Sequence, residues 1–324
     1  MKKVLVIVLL SIVALGLRAQ QNTEISLYFL NGLLVNPGYA GSKEVVSVNA
    51  WYRHQWSGMP GAPRTGTISI HSPLKKKQYA LGLLYTNDRF GLNSKNSVYG
   101  SFAYRIPVKK SKLSFGIQAG FDNWQSDLLA GQLPDPNTNA GGDNAFSLNL
   151  NAFLPNAGAG FYAYRENKYY VGLSVPHMIP FNLGNQIEIS RSEEVSRLYT
   201  HAMLTAGYVI GKETSSFKFL PSALIKYVKR APVNFNVTAG FLFLDRVMLG
   251  ASYEFASLQN GGKSESIIGV AKFAATKNLE FGYAYDYSLN RLDAFNNGSH
   301  EVFIGYNFGF DTKRFVTPRF VSYF

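Results

Sequence analysis

Val247-Met248-Leu249-Gly250-Ala251-Ser252-Tyr253-Glu254-Phe255 carries two compositions on alternating positions. Val247, Leu249, Ala251, Tyr253 and Phe255 share one parity; Arg246, Met248, Gly250, Ser252 and Glu254 share the other. Successive side chains of an extended strand point to opposite faces, so this stretch predicts a strand with one apolar wall and one small or polar wall. Leu279, Phe281, Tyr283 and Tyr285 alternate in the same way with Glu280, Gly282, Ala284 and Asp286, and Val302, Ile304, Tyr306 and Phe308 repeat the pattern. Many such strands between two unlike environments predict a transmembrane barrel with lipid outside and a polar lumen. Leu249, Phe281 and Ile304 are then expected to face lipid.

Extended along the chain, the alternation predicts an all-β protein: a single antiparallel transmembrane β-barrel of about fourteen strands. The strands are expected over residues 45–54, 65–71, 79–86, 97–105, 112–121, 156–164, 169–175, 198–210, 217–228, 233–243, 246–255, 264–275, 279–286 and 300–308. Glycines recur on the non-lipid parity, as a crowded lumen would require. Even-numbered connections are short (73–78, 107–111, 165–168, 211–216, 244–245, 276–278). Odd ones are mostly longer (55–64, 87–96, 122–155, 176–197, 256–263, 287–299), with 229–232 the exception. Outer-membrane barrels segregate short periplasmic turns from long extracellular loops in this way, and an even strand count returns both chain ends to the periplasm. A soluble sandwich or propeller has no reason to sort its loops by length.

Composition agrees. The chain of 324 residues is 46% hydrophobic, yet its mean hydropathy is near zero, too polar for a bundle of membrane helices. Twenty Tyr and 24 Phe are enough to furnish aromatic girdles at two membrane interfaces. The absence of cysteine excludes disulfides, Cys-ligated zinc, thiol catalysis and a lipoprotein anchor. Residues 1–19 read as a signal peptide: Lys2 and Lys3, an apolar run to Leu17 that is short for a spanning helix, then Ala19. Residues 20–44 form a periplasmic N-terminal segment in which Ile25, Phe29 and Leu33 sit at helical spacing; a short helix is expected, plugging the lumen or lying on the periplasmic rim. Residues 45–324 form the barrel. The net charge of +12 on an exported chain points away from nucleic acid and toward anionic lipid headgroups, a cell-wall polymer or an acidic protein partner.

Little in the chain suggests chemistry. His54, His71, His177, His201 and His300 show no metal-ligand spacing and no neighbouring nucleophile motif, so neither an enzyme nor a cofactor is expected. Asp135, Asn137 and Asn139 open like a calcium loop, but Ala140 stands where the turn glycine belongs and Phe146 where the closing Glu belongs, which favours an Asx-rich turn. Gly158-Ala159-Gly160 lacks the third glycine of a dinucleotide fingerprint. Arg53, Gln55, Trp56, Arg64 and Arg89 gather around the first two long loops, either as a binding anchor or as an interfacial Trp with lumenal arginines. Lys75, Lys76, Lys77, Lys109, Lys110 and Lys112 form a basic periplasmic rim, either solvated turns or a dock for acidic machinery.

Asn36-Pro37-Gly38-Tyr39-Ala40-Gly41-Ser42 resembles an Asn-Pro-Ala-Tyr-Ala-Gly-Ser motif. After it come Arg53-His54-Gln55-Trp56, Gly61-Ala62-Pro63 with Thr65, and Tyr104-Arg105-Ile106. Leu113-Ser114 with Gly116, Asp135-Pro136, Pro155-Asn156 with Gly158 and Gly160, and Tyr170 with Gly172, Ser174, Pro176 and His177 complete the series. This ordered set is similar to the PorP/SprF family of the type IX secretion system, with Gly38 in place of the usual Ala. The resemblance implies a non-enzymatic outer-membrane protein that supports secretion or holds a large secreted adhesin at the surface, with periplasmic secretion or motility machinery as further partners. Asn36, Pro37, Tyr39, Arg53, Trp56 and Pro63 are the motif residues, with a shaping role for the N-terminal segment and first hairpin. A passive pore or transporter for small solutes is the alternative.

Overall fold

A computed structural model describes residues 25–75, 77–127, 150–182, 197–198, 200–228, 231–257, 263–289 and 295–308. Its strands are β1 (Val46–His54), β2 (Arg64–Pro73), β3 (Tyr79–Phe90), β4 (Asn93–Val108), β5 (Ser111–Ser126), β6 (Leu150–Arg165), β7 (Tyr169–His177), β8 (Phe181–Asn182) and β9 (Arg197–Leu198). They continue with β10 (His201–Tyr208), β11 (Phe217–Val228), β12 (Asn234–Phe243), β13 (Val247–Ser257), β14 (Lys263–Ala274), β15 (Leu279–Ser288) and β16 (Ser299–Phe308). β8 and β9 pair only with each other, inside the connection between β7 and β10. The other fourteen close into one antiparallel barrel, each bonded to the next, with β1 sealing against β16 from Val46↔Phe308 to His54↔His300.

Side-chain parity runs as the alternation requires. Leu249, Phe281 and Ile304 are 51%, 39% and 43% exposed on the outer wall, while Ser252, Glu254, Glu280 and Glu301 are buried inside. The buried polar groups therefore exceed what a water-soluble core tolerates, and the apolar surface is on the outside; only a lipid surround makes that stable.

The connections sort by length, with one correction. Residues 87–96 are not a long loop. β3 and β4 continue through them and turn at Gly91 and Leu92, with Gly91 at φ +55 and Phe90↔Asn93 in register. Its outward residues, Asn87, Arg89, Ser94 and Asn96, are polar because this hairpin rises past the apolar band, so the alternation that marks a lipid-facing strand fades there. β5 and β6 likewise run beyond their expected ends, to Ser126 and from Leu150.

Among the described residues the expected helix does not form either. Residues 25–44 form turns with two single 3-10 turns, Gly32–Leu34 and Pro37–Tyr39, inside the barrel. Leu27, Tyr28, Phe29, Leu30, Leu33, Val35, Tyr39 and Ala40 are all buried. A segment walled in on every side gains nothing from one apolar stripe, so the spacing of Ile25, Phe29 and Leu33 does not decide its backbone; bonds to the wall do.

Candidate functional site

The lumenal segment is held at both ends by ion pairs and in the middle by a glycine-lined seat. At the long-loop end, Arg53 on β1 is 2% exposed and pairs with Glu301 on β16 (2.9 Å) and Asp286 on β15 (2.7 Å). It also donates to Ser26 Oγ at 2.7 Å. The Glu301 carboxylate accepts the backbone N–H groups of Ser26 (3.0 Å) and Leu27 (2.7 Å), so one acid ties the segment to the seam between first and last strands. Tyr28 donates to Ser222 Oγ at 3.0 Å, and burial pushes its phenol up to about 12.

The middle is the Asn-Pro-Gly-Tyr motif. Asn36 caps the second 3-10 turn, its Oδ1 accepting from Gly38 N (2.8 Å), and Pro37 supplies the fixed φ that starts the turn. Asn36 Nδ2 donates to Phe161 O (2.9 Å) and more weakly to Leu173 O (3.4 Å), and the Ser174 hydroxyl donates to Val35 O. The wall approaches so closely that it has no room for side chains. A Cβ on Gly116 would lie 2.2 Å from Gly38 N, one on Gly160 2.1 Å from Asn36 Oδ1, and one on Gly172 2.8 Å from Asn36 Nδ2. Tyr39 packs edge-on against His71 and Tyr162 at 5.3 and 5.5 Å. Gly41 N donates to His71 Nδ1 at 3.1 Å, which leaves the imidazole proton on Nε2.

At the short-turn end Glu44 pairs with Arg105 (2.6 Å), Lys112 (2.7 Å) and Lys77 (3.7 Å). Arg105 also donates to Gly41 O and Lys77 O. Lys43 and Lys272 share Glu280 at 2.7 and 2.8 Å. Burial opposes the Lys43 ammonium, but Glu280 more than offsets it and holds the pKa above the ordinary lysine value. Three small cavities lie beside the segment among the described residues, about 10, 90 and 30 Å³. The 90 Å³ space opens beside Ile25, among Trp51, Lys95, Tyr99 and His177.

The residues singled out by sequence thus divide. Asn36, Pro37, Tyr39 and Arg53 meet in the lumen as parts of the plug and its clamp. Trp56 lies at the long-loop mouth with φ +48, its N–H on Ser299 Oγ at 3.2 Å. Pro63 O accepts from Gln55 N at 2.9 Å and closes the first loop. Arg64 and Arg89 are exposed on the outer wall, not in the lumen. Of the basic rim, Lys77 and Lys112 reach Glu44, while Lys75, Lys109 and Lys110 are exposed. Lys76, Asp135, Asn137 and Asn139 lie outside the described residues, as does the 1–19 leader. Sequence reasoning passed over Glu301, Glu280 and Glu44, the acids that anchor the segment. For two of them a signal was available: Glu301 and Glu280 lie on the polar parity of their strands, Glu301 directly opposite Arg53 and Glu280 one inward position from the partner of Lys272; Glu44 precedes β1 and had no such pattern.

Motif pieces spread over 137 positions, from Asn36 to Leu173, meet at one seat. A family model, that of the type IX secretion system membrane protein PorP/SprF, matches residues 17–306. The chain belongs to the PorP/SprF family. A PorP/SprF barrel is an outer-membrane component of type IX secretion, and the fold described above is that of such a barrel. No curated protein matches the chain. Among solved structures it is similar to the outer membrane protein Omp33 of Acinetobacter baumannii (9% identity, 82% of this chain and 98% of that one, TM-score 0.48). It is also similar to the CymD monoaromatic hydrocarbon channel (14%, 86% and 92%, 0.48) and the outer membrane phospholipase A of Escherichia coli (11%, 80% and 94%, 0.35). At these values the likenesses carry no argument about what the PorP/SprF chain does.

Proposed function

We propose that this PorP/SprF protein is a closed, non-enzymatic barrel that supports secretion or surface anchoring of a large adhesin-like substrate, rather than a passive pore. The observation that carries the reading is the lumen. Residues 25–44 fill it and are clamped at both ends by buried ion pairs, an arrangement that a solute channel does not need and that a rigid docking platform does. The long-loop end is the face for the secreted partner; exposed Lys75, Lys109 and Lys110 at the short-turn end suit acidic periplasmic machinery.

Planar-bilayer recording and surface retention test this together. The expected result is no steady conductance from the intact protein, and loss of an adhesin-like protein from the surface of cells lacking the barrel. A large steady conductance with normal surface retention would instead establish the pore.

A further inference from the structure

Arg64 and Arg89 face outward, and they are not alone. Four adjacent strands carry His300 (β16), His54 (β1), Arg64 (β2) and Arg89 (β3) on their outward parity, and each is the direct cross-strand partner of the next. With neighbouring strands ~4.8 Å apart, the row spans roughly 15 Å. Arg64 and Arg89, the two permanent cations of the row, stand directly opposite one another and repel, so their pairing is unfavourable unless an anion lies against it.

Among the described residues of these strands no such anion is present. Along β15, β16 and β1 to β5, every outward position is apolar, small, aromatic, neutral-polar or basic. The carboxylates of these strands, Asp88, Asp122, Glu280, Asp286 and Glu301, are buried on the inner side. Among the described residues neither arginine makes an ion pair. The height of the row is set by its neighbours. On the same wall the next tier is Tyr283, Val302, Tyr52, Gly66 and Asn87, and the tier beyond it holds Ile304, Ala50, Ile68 and Tyr85. Tyr283 OH meets His300 Nδ1 at 2.8 Å, and Tyr85 OH donates to Asn96 Oδ1 at 3.0 Å, so the aromatic girdle turns polar just where the row begins. A ligand here is level with headgroups and in contact with the acyl-chain wall.

We infer that this row is a binding site for a phosphate of an anionic lipid headgroup in the leaflet at the long-loop end. Arg64 and Arg89 present planar guanidinium forks for charge-assisted bonds to phosphate oxygens, with His54 and His300 as flanking donors. The apolar wall beneath selects a lipid over a free anion, since it holds the chains attached to the same headgroup. The inference rests on the outer-membrane location and not on the docking role.

Native mass spectrometry of the purified protein with phosphorylated and dephosphorylated lipid A tests it. At about 1 kcal/mol per surface cation, Arg64→Gln with Arg89→Gln is expected to lower retention of the phosphorylated form roughly 30-fold, and each single variant about fivefold. Both forms should bind alike to the double variant, and Lys109→Gln with Lys110→Gln at the opposite end should bind like wild type. Heat-modifiable gel mobility reports that each barrel is folded; should the double variant fail, the single variants give the reading. Equal retention by wild type and variants, or no preference for the phosphorylated lipid, overturns the inference. Complete displacement by millimolar inorganic phosphate overturns the lipid assignment in favour of a free-anion site.

Discussion

Gly116→Ala is the sharpest test of the plug. The added Cβ would lie 2.2 Å from Gly38 N, 2.3 Å from Pro37 C and 2.6 Å from Gly38 Cα. Ordinary carbon contacts sit near 3.5–4.0 Å, so the turn must lift by about 1–1.5 Å. All three contacts are backbone, and no rotamer change relieves them. Such a shift stretches Asn36 Nδ2→Phe161 O, now 2.9 Å, beyond bonding range, and breaks the Ser174 bond to Val35 O. Each buried bond lost costs about 1–3 kcal/mol and the overpacking about 1–3 more. Even the low ends of these ranges remove about 3 kcal/mol from the seat, which multiplies the unseated fraction by more than a hundred. The barrel wall is untouched, so the variant should still fold and show heat-modifiable mobility. In planar bilayers wild type should be silent and Gly116→Ala should open intermittently. Gly269→Ala, with nothing within 4 Å of its added Cβ, is the control and should be silent. A Gly116→Ala protein as silent and as stable as wild type would refute the seat.

Glu301→Gln weakens the clamp on Arg53, Ser26 and Leu27; with Asp286 still on Arg53 it should cost about 3 kcal/mol, read as a lower denaturant midpoint in detergent, and an unchanged midpoint would contradict the clamp. The chain has no cysteine, so Phe295→Cys, exposed in the long connection before β16, and Lys75→Cys can be labelled cleanly: an impermeant maleimide on whole cells should reach the first and miss the second, and the reverse pattern would invert the barrel. Lys43 has a folded pKa above its ordinary value, so its contribution is fully present below that value and is lost as pH rises through the folded pKa. The hydrogen-exchange protection factors of residues 41–44, with the base-catalysed rise of intrinsic exchange divided out, should therefore hold through neutral and mildly alkaline pH and fall only above the ordinary lysine range.

The barrel was legible because lipid imposes a rule that every strand must obey. Leu249, Phe281 and Ile304 could be assigned to the outer wall from parity alone. Legibility failed where lipid stops. Asn87 to Asn96 is strand in structure, but its outward positions rise into the headgroups, and polar residues on both faces look like loop. It failed again for Ile25 to Glu44, whose surroundings come from strands far away in sequence. The glycines of β5, β6 and β7 were visible on the inner parity, and so was Asn36-Pro37-Gly38; what sequence alone could not supply was that Gly116, Gly160 and Gly172 lie side by side beneath that turn. Arg64 and Arg89 were legible as a cluster but not by side, since one loop residue more or less before β2 reverses which wall an arginine joins.

The direction of the segment bears on how the barrel is assembled. Ser26 and Leu27 bond at the long-loop end, Glu44 at the short-turn end, and β1 begins only at Val46. Residues 25–44 therefore run through the lumen from the long-loop end to the short-turn end, and β1 runs back in the opposite sense. The fold also places the main acceptor for the segment, Glu301, on the last strand, and its arginine partner, Arg53, on the first. Until β16 meets β1, Glu301 and Arg53 are apart, and the N–H groups of Ser26 and Leu27 lack their carboxylate. Closing the seam and completing the long-loop end of the plug are accordingly coupled: the seam brings Glu301 to Arg53, and Ser26 and Leu27 bond to that same carboxylate, while Asn36, Lys43 and Glu44 are held by strands away from the seam.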